Sequence, residues 1–221
     1  VLVDNMPLHF QIIWKARVMR ALKTTFPVLI DFKGFRQCER LLPHVLACAM
    51  WQEDELTPTV EVAEVLYKTG NYLCKQGQYV TAETLLTRAL AIYEQQPLPD
   101  NQRIVFPLIA LRLVYMSQGR YEKAEELGER VHTALVQSHG LEHPFTVMSI
   151  LDVAASYMLQ GKFRQAELWY RRITALPEKL LETEPFQSAR LLTVLASGYT
   201  SQGKLSDAEP LYEQALALYE K

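Results

Sequence analysis

The sequence has no excess of either charge: 23 Lys and Arg stand against 25 Asp and Glu, a formal net charge of -2 over 221 residues. That balance excludes the strongly basic face on which nucleic-acid binding rests. No apolar run approaches the length of a membrane span, and the first residues lack the basic-then-apolar pattern of a secretory leader. Cysteine is scarce. Cys38, Cys48 and Cys74 are odd in number, widely spread and free of any CxxC pairing, so neither a disulfide framework nor a thiolate metal site is expected. Thiols of this kind pack as small apolar groups and point to a reducing, cytoplasmic setting. No GxxxxGK[ST] phosphate loop occurs, and no Gly-rich turn follows a strand pattern. The chain is therefore expected to be no enzyme and to carry no cofactor. Its pattern stops mid-course at Lys221, which predicts a segment of a longer protein.

What is present is ordinary in amount and unusual in order. The apolar fraction of 49% and charged fraction of 22% fit a globular chain with a sizeable core. Four glycines, Gly77, Gly119, Gly161 and Gly203, stand 42 residues apart. Each follows a glutamine, Gln76, Gln118, Gln160 and Gln202. Two residues after each comes Tyr79, Tyr121, Phe163 or Leu205, and five and six after it come Ala82-Glu83, Ala124-Glu125, Ala166-Glu167 and Ala208-Glu209. Before each glycine the apolar residues follow a helical period, as in Ile150, Val153, Ala154, Tyr157 and Met158. A second amphipathic helix follows, as in Ala166, Leu168, Trp169, Tyr170 and Ile173. Glycine ends a helix cheaply because a side chain is costly in the left-handed conformation there. The unit is thus a helical hairpin, with the alanine allowing close approach and the residue two after glycine plugging its end. Pro58, Pro144 and Pro185 fall where first-turn prolines are tolerated, and Asp100-Asn101 offers a cap at the matching point.

The 42-residue period, the small residues at fixed points and the paired helices resemble the tetratricopeptide repeat (TPR) family, whose common repeat is about 34 residues. The stretch His143-Pro144, Gln160-Gly161-Lys162-Phe163, Ala166-Glu167 resembles the kinesin light chain subtype, which reads roughly His-Pro, helix, Gln-Gly-Lys-Tyr, Ala-Glu. That subtype often carries paired asparagines in the first helix. Here those positions hold Tyr67-Lys68, Ile109-Ala110, Leu151-Asp152 and Thr193-Val194, so its cargo specificity does not carry over. The resemblance implies an all-α, right-handed superhelical solenoid of antiparallel helix pairs. Four repeats are expected at about 58–99, 100–141, 142–183 and 184–221, behind a helical adaptor or degenerate half-repeat at 1–57.

In that adaptor, Trp14, Val18, Met19, Leu22 and Phe26 predict one buried helix face ending near Pro27. Lys15, Arg17, Arg20 and Lys23 predict a solvated basic face or one docked on an acidic surface. A second helix is expected from Phe35 to Trp51, kinked at Pro43. Phe35, Cys38 and Glu39 stand 44 residues before Tyr79, Ala82 and Glu83. The run from Cys38 to Ala49, CERLLPHVLACA, resembles the junction before the TPR array in signalling NTPases of the STAND class, where an NB-ARC or NACHT ATPase lies upstream. This resemblance implies a ligand-sensing, autoinhibitory arm with an upstream NTPase domain as partner. The kinesin light chain resemblance implies instead a constitutive scaffold or cargo adaptor.

Chemistry-bearing residues are few. His139 and His143 are four apart, but Gly140 and Pro144 place them in a turn, and no third ligand completes a metal site. Cys74 has no partner in a nucleophile motif. The glutamates after the alanines recur with the repeat surface rather than gathering into a site. The concave groove is the expected binding face, with no nucleic acid or membrane as partner and a protein or peptide as ligand. In the TPR pattern its side chains fall three, six, ten and thirteen residues before each glycine. The first repeat gives Glu64, Tyr67, Asn71 and Cys74, and the second gives Phe106, Ile109, Leu113 and Met116. The third gives Met148, Leu151, Ala155 and Met158, and the fourth gives Arg190, Thr193, Ser197 and Thr200. An apolar, methionine-rich middle suits an adaptable surface. Of the lysine–asparagine set that clamps a peptide carboxylate in chaperone-binding TPRs, only Asn71 matches.

Overall fold

A computed structural model of the chain describes residues 7–27, 32–49, 59–96, 101–174 and 185–220. Among them are ten α-helices and no strand. The first five are α1 (Leu8–Thr25), α2 (Phe32–Ala49), α3 (Val60–Lys75), α4 (Tyr79–Glu94) and α5 (Asn101–Ser117). The others are α6 (Tyr121–His139), α7 (Pro144–Leu159), α8 (Phe163–Thr174), α9 (Pro185–Ser201) and α10 (Leu205–Tyr219). The fold is the all-helical repeat that the 42-residue period predicts. The chain forms two compact units, Val1–Gln118 and Gly119–Lys221. In the first, α3 packs on α4, α5 lies against both, and α1 and α2 lie against α3. In the second, α6 packs on α7, α7 on α8 and α9 on α10, and α7 also meets α9.

The four repeat glycines all adopt φ between 71° and 73°, the left-handed region where a β-carbon is strained. That conformation lets the amides beyond the turn fold back on the helix end. The Gln78 N–H donates to the Leu73 carbonyl at 2.9 Å, and those of Lys162 and Lys204 donate to Tyr157 and Tyr199 at 3.0 Å, satisfying carbonyls the helix leaves open. Immediately beyond, Ala82, Ala124, Ala166 and Ala208 are buried. The third repeat begins as its sequence suggests: Pro144 is the first residue of α7, and His143 caps it, Nδ1 accepting the Phe145 N–H at 3.3 Å. Pro185 opens α9, and Asn101 is the first helical residue of α5 rather than its cap. Pro58, Asp100 and Trp51 lie outside the described residues.

The adaptor departs from its expected faces. Trp14 is exposed, and Lys15, expected in solvent, is buried beside Met19, Leu22 and Phe26. The reason is register. Residues 15, 19, 22 and 26 are spaced by four, three and four and form one stripe, which α3 covers, whereas Trp14 falls on the opposite side with Phe10 and Arg17. Lys23 is also not free: its ammonium meets Glu64 at 2.9 Å, and Lys68 meets the other oxygen of the same carboxylate at 3.0 Å. Pro43 sits inside α2, whose last carbonyl, that of Ala49, accepts from the Arg88 guanidinium on α4. The residue two after glycine plugs the hairpin only in part. Tyr79 and Tyr121 are half-buried, but Phe163 and Leu205 are exposed.

Candidate functional site

In the first unit, α3 and α5 are neighbours and bring their expected groove positions together. Phe106 and Leu113 on α5 are 60% and 49% exposed despite being large and apolar, and Ile109 and Met116, at helical spacing from them, are half-buried. On α3, Tyr67 sets its ring 6.3 Å from that of Phe106, tilted by 38°. Its hydroxyl is pushed above the ordinary phenol range by burial, so it acts as a neutral donor. Asn71 and Cys74 lie one and two turns further along α3 and are half-buried. Burial pushes the Cys74 thiol up to about 11, which leaves it protonated and unreactive at neutral pH. Glu64, the remaining position, is committed to Lys23 and Lys68. Tyr67 and Phe106 thus stand together, with Ile109, Leu113 and Met116 at helical spacing along α5.

The corresponding positions in the second unit differ. Leu151 is buried in a core of Val147, Ile150, Val153, Ala154, Tyr157, Ala166, Trp169 and Leu195, so it is a core residue and not a groove residue. Met148 and Met158 are half-buried and packed on the same core. Thr193 is half-buried with its hydroxyl donating to the Ala189 carbonyl at 2.8 Å, while the Arg190 side chain lies outside the described ones. Helical spacing alone cannot separate these cases, because a first helix buries two of its sides and exposes only the remainder.

No group of three His, Cys, Asp or Glu among the described residues could hold a metal. His139 is the last residue of α6 and His143 the cap of α7, their ring centroids 4.4 Å apart. Each Nδ1 is engaged, by Ser138 Oγ at 2.7 Å and by the Phe145 amide. The pair belongs to the turn. Among the described residues no helix is long and apolar enough to cross a membrane.

Family models described as tetratricopeptide repeat match residues 62–95, 108–179 and 188–221, together well over half the chain. The chain belongs to the tetratricopeptide repeat family. No curated protein matches the sequence. Among solved structures, the nearly identical TPR-like repeats of a Podosopora anserina kinesin light chain-type protein align with a TM-score of 0.71 at 20% identity, covering 97% of each chain. BtubC (BKLC) from P. vanneervenii aligns with a TM-score of 0.62 at 18% identity, over 93% of this chain and 74% of that one. The Rap conjugation gene regulator of plasmid pLS20, solved with the Phr* peptide, aligns with a TM-score of 0.57 at 16% identity, over 85% of this chain and 48% of that one.

The tetratricopeptide repeats are joined by a feature that sequence reasoning passed over. The recurring glutamates do not simply decorate the surface: three of them reach the turn of the next repeat. Glu83 accepts from Gln118 at 3.4 Å. Glu125 accepts from Gln160 at 2.8 Å and Lys162 at 3.1 Å, and Glu167 accepts from Lys204 at 2.8 Å. The partners are the residues flanking the repeat glycine, so the Gln-Gly-Lys turn and the Ala-Glu pair are two halves of one junction. The signal was in the sequence, as two conserved-register polar positions about 36 residues apart, yet only packing shows that they meet. Burial pushes the Glu125 carboxyl up, but hydrogen bonds from Gln160, Lys162 and Tyr157 outweigh it and hold it below the ordinary range. Glu125→Ala is therefore expected to cost about 1 kcal/mol in urea denaturation at neutral pH, modest because Lys162 is partly solvated. A carboxyl lowered on folding stabilises above its unfolded pKa, so the difference from wild type shrinks as pH falls through the carboxylate range.

Proposed function

We propose that the chain is a peptide-recognition module whose ligand lies along Tyr67, Asn71, Cys74, Phe106, Ile109, Leu113 and Met116. The observation carrying this reading is the exposure of Phe106 and Leu113 on one stripe of α5, beside the Tyr67 ring of α3. Exposed large apolar side chains in register on neighbouring first helices are costly in water unless a partner covers them. The module is non-catalytic: it binds an apolar or amphipathic segment, with Asn71 available to fix the backbone of an extended ligand. The likeness to kinesin light chain-type repeats and to a peptide-bound regulator supports a scaffold or adaptor role. The narrower role, a cytoplasmic sensing arm of a STAND-type NTPase, keeps the Cys38–Ala49 stretch as its support. It requires a phosphate-binding loop upstream in the reading frame.

The test is selection of a displayed random-peptide library on the immobilised chain, followed by fluorescence anisotropy of the selected peptides. Peptides rich in Leu, Phe and Met are expected. Phe106→Glu and Leu113→Glu should each weaken them at least tenfold, because each removes an anchor and places a charge in an apolar strip. Val80→Glu, at an exposed position of α4, should leave affinity unchanged. Equal loss in all three variants would place the ligand elsewhere.

A further inference from the structure

Helix α3 carries part of the ligand strip and is also the helix on which the adaptor rests, and its contacts with α1 fall beside the strip residues. Glu64, one turn before Tyr67, takes the Lys23 ammonium at 2.9 Å on one oxygen and that of Lys68 at 3.0 Å on the other. Lys68, the residue after Tyr67, also donates to the Lys23 carbonyl at 3.2 Å. Its side chain is only 10% exposed, so this ammonium is held inside the contact. Tyr72, the residue after Asn71, stands nearly perpendicular to the Phe26 ring, at 80° with centroids 6.4 Å apart.

The charges of the two helices match. Helix α1 contains no Asp or Glu, while residues 60–66 of α3 contain Glu61 and Glu64 and no Lys or Arg. Its own backbone amide, then Thr59, holds the Glu61 carboxyl below the ordinary range against slight desolvation, and Lys23 and Arg20 add to this. The apolar part of the contact is small, with Met19, Leu22 and Phe26 as the large side chains buried there.

We propose that docking of α1 sets α3 for ligand: with the adaptor attached Tyr67 is held against Phe106, and detachment of α1 releases it. The inference rests on the strip being the ligand site and adds a regulation of that site. Helix α3 packs on α1 as well as on α4 and α5. Loss of α1 takes one cation from Glu64, the carbonyl from Lys68 and the ring from Tyr72, all within one turn of Tyr67 or Asn71. Three apolar side chains and one shared carboxylate part at a lower cost than unfolding of the unit. The effect is reciprocal: a peptide on the strip favours the docked adaptor by the same factor as the docked adaptor favours the peptide. A partner that captured α1 would lower affinity at the strip without touching it.

Hydrogen exchange of the 221-residue chain, without and with a Leu-, Phe- and Met-rich peptide selected on it, is the test, alongside anisotropy of that peptide. Met19→Ala/Leu22→Ala weakens the contact without changing charge. Without peptide it should speed exchange in α1 and in α3 from Glu64 to Asn71, with α6 to α10 as in wild type. Its affinity should fall about fivefold or more, the reciprocal of the docked fraction. Lys23→Glu, which sets a carboxylate against Glu64, should act likewise, whereas Lys23→Arg should keep wild-type exchange and affinity. In wild type the peptide should slow exchange in α1, although the strip lies on α3 and α5. Faster exchange in α1 with affinity unchanged, or wild-type exchange in both weakened variants, would overturn the inference and leave the ligand site standing. Affinity that survives Phe106→Glu would overturn the ligand site itself, and this inference with it.

Discussion

Trp169→Ala is expected to lower the unfolding free energy of the second unit by about 3–5 kcal/mol, the cost of emptying a buried indole site. Trp169 lies in the core of α7 and α8 with Ile150, Ala154 and Leu195. Its ring stands nearly perpendicular to that of His132, at 86° with centroids 5.1 Å apart, and the Arg172 guanidinium lies over its face at 3.9 Å. The variant loses dispersion contacts on every side, and the exposed Arg172 loses its platform. It also alters a pH response. Ser149 donates its hydroxyl proton to the Thr146 carbonyl at 2.6 Å, so its oxygen accepts from His132 Nδ1–H at 2.9 Å. Burial, aided by Arg172, holds the His132 pKa below the ordinary 6.5. The unfolded chain therefore binds the proton more readily. Stability from this group is complete above about 6.5 and is lost as pH falls through the folded value. Urea denaturation at about pH 7.5 and 5.5 should show wild type weakening at the lower pH and Trp169→Ala responding less, because water then reaches His132. An unchanged pH response in the variant would mean that Trp169 does not shield the imidazole.

Gly70→Ala is expected to destabilise the first unit by about 1–3 kcal/mol, although the same change in an open helix would stabilise by about 1 kcal/mol. Gly70 is in the interior of α3 where α4 crosses it. A β-carbon there would stand 2.6 Å from Cγ of Leu86 and 2.9 Å from its Cδ2. Cγ is the branch point of a buried side chain and Cδ2 one of its methyls, and the Ala82 carbonyl oxygen lies 3.4 Å away, so relief requires Leu86 to leave its rotamer or α3 and α4 to separate. Leu86→Ala alone should cost about 2–5 kcal/mol through its cavity. The double variant should be more stable than the sum of the two losses, because the new methyl occupies part of that cavity. A chemical-denaturation cycle reads the coupling, and a Gly70→Ala variant more stable than wild type would sink the argument. The contrast with Gly77, Gly119, Gly161 and Gly203 is informative. A β-carbon on any of these meets no atom within 4 Å, so there glycine answers only to backbone conformation.

The repeat, its hairpin form and its turns were fixed by residues close together in the chain. Glycine after a helical apolar run determines a left-handed stop, and alanine five residues on determines a close crossing, because both act within one or two turns of helix. Those features recur four times and were legible without coordinates. The faces of α1 were misread, because Lys15 and Trp14 are adjacent and only the position of α3 selects which is covered. Leu151 and Ile109 occupy equivalent positions ten residues before the repeat glycine, yet the first is buried in a core and the second half-buried, since helices distant in sequence decide what reaches water. The glutamate junctions are the same case: both partners are visible as a pattern, but charge and spacing do not state that residues 35 to 37 apart touch. Local stereochemistry set the elements of this protein, and packing between elements, which depends on distances no sequence separation encodes, set its surfaces.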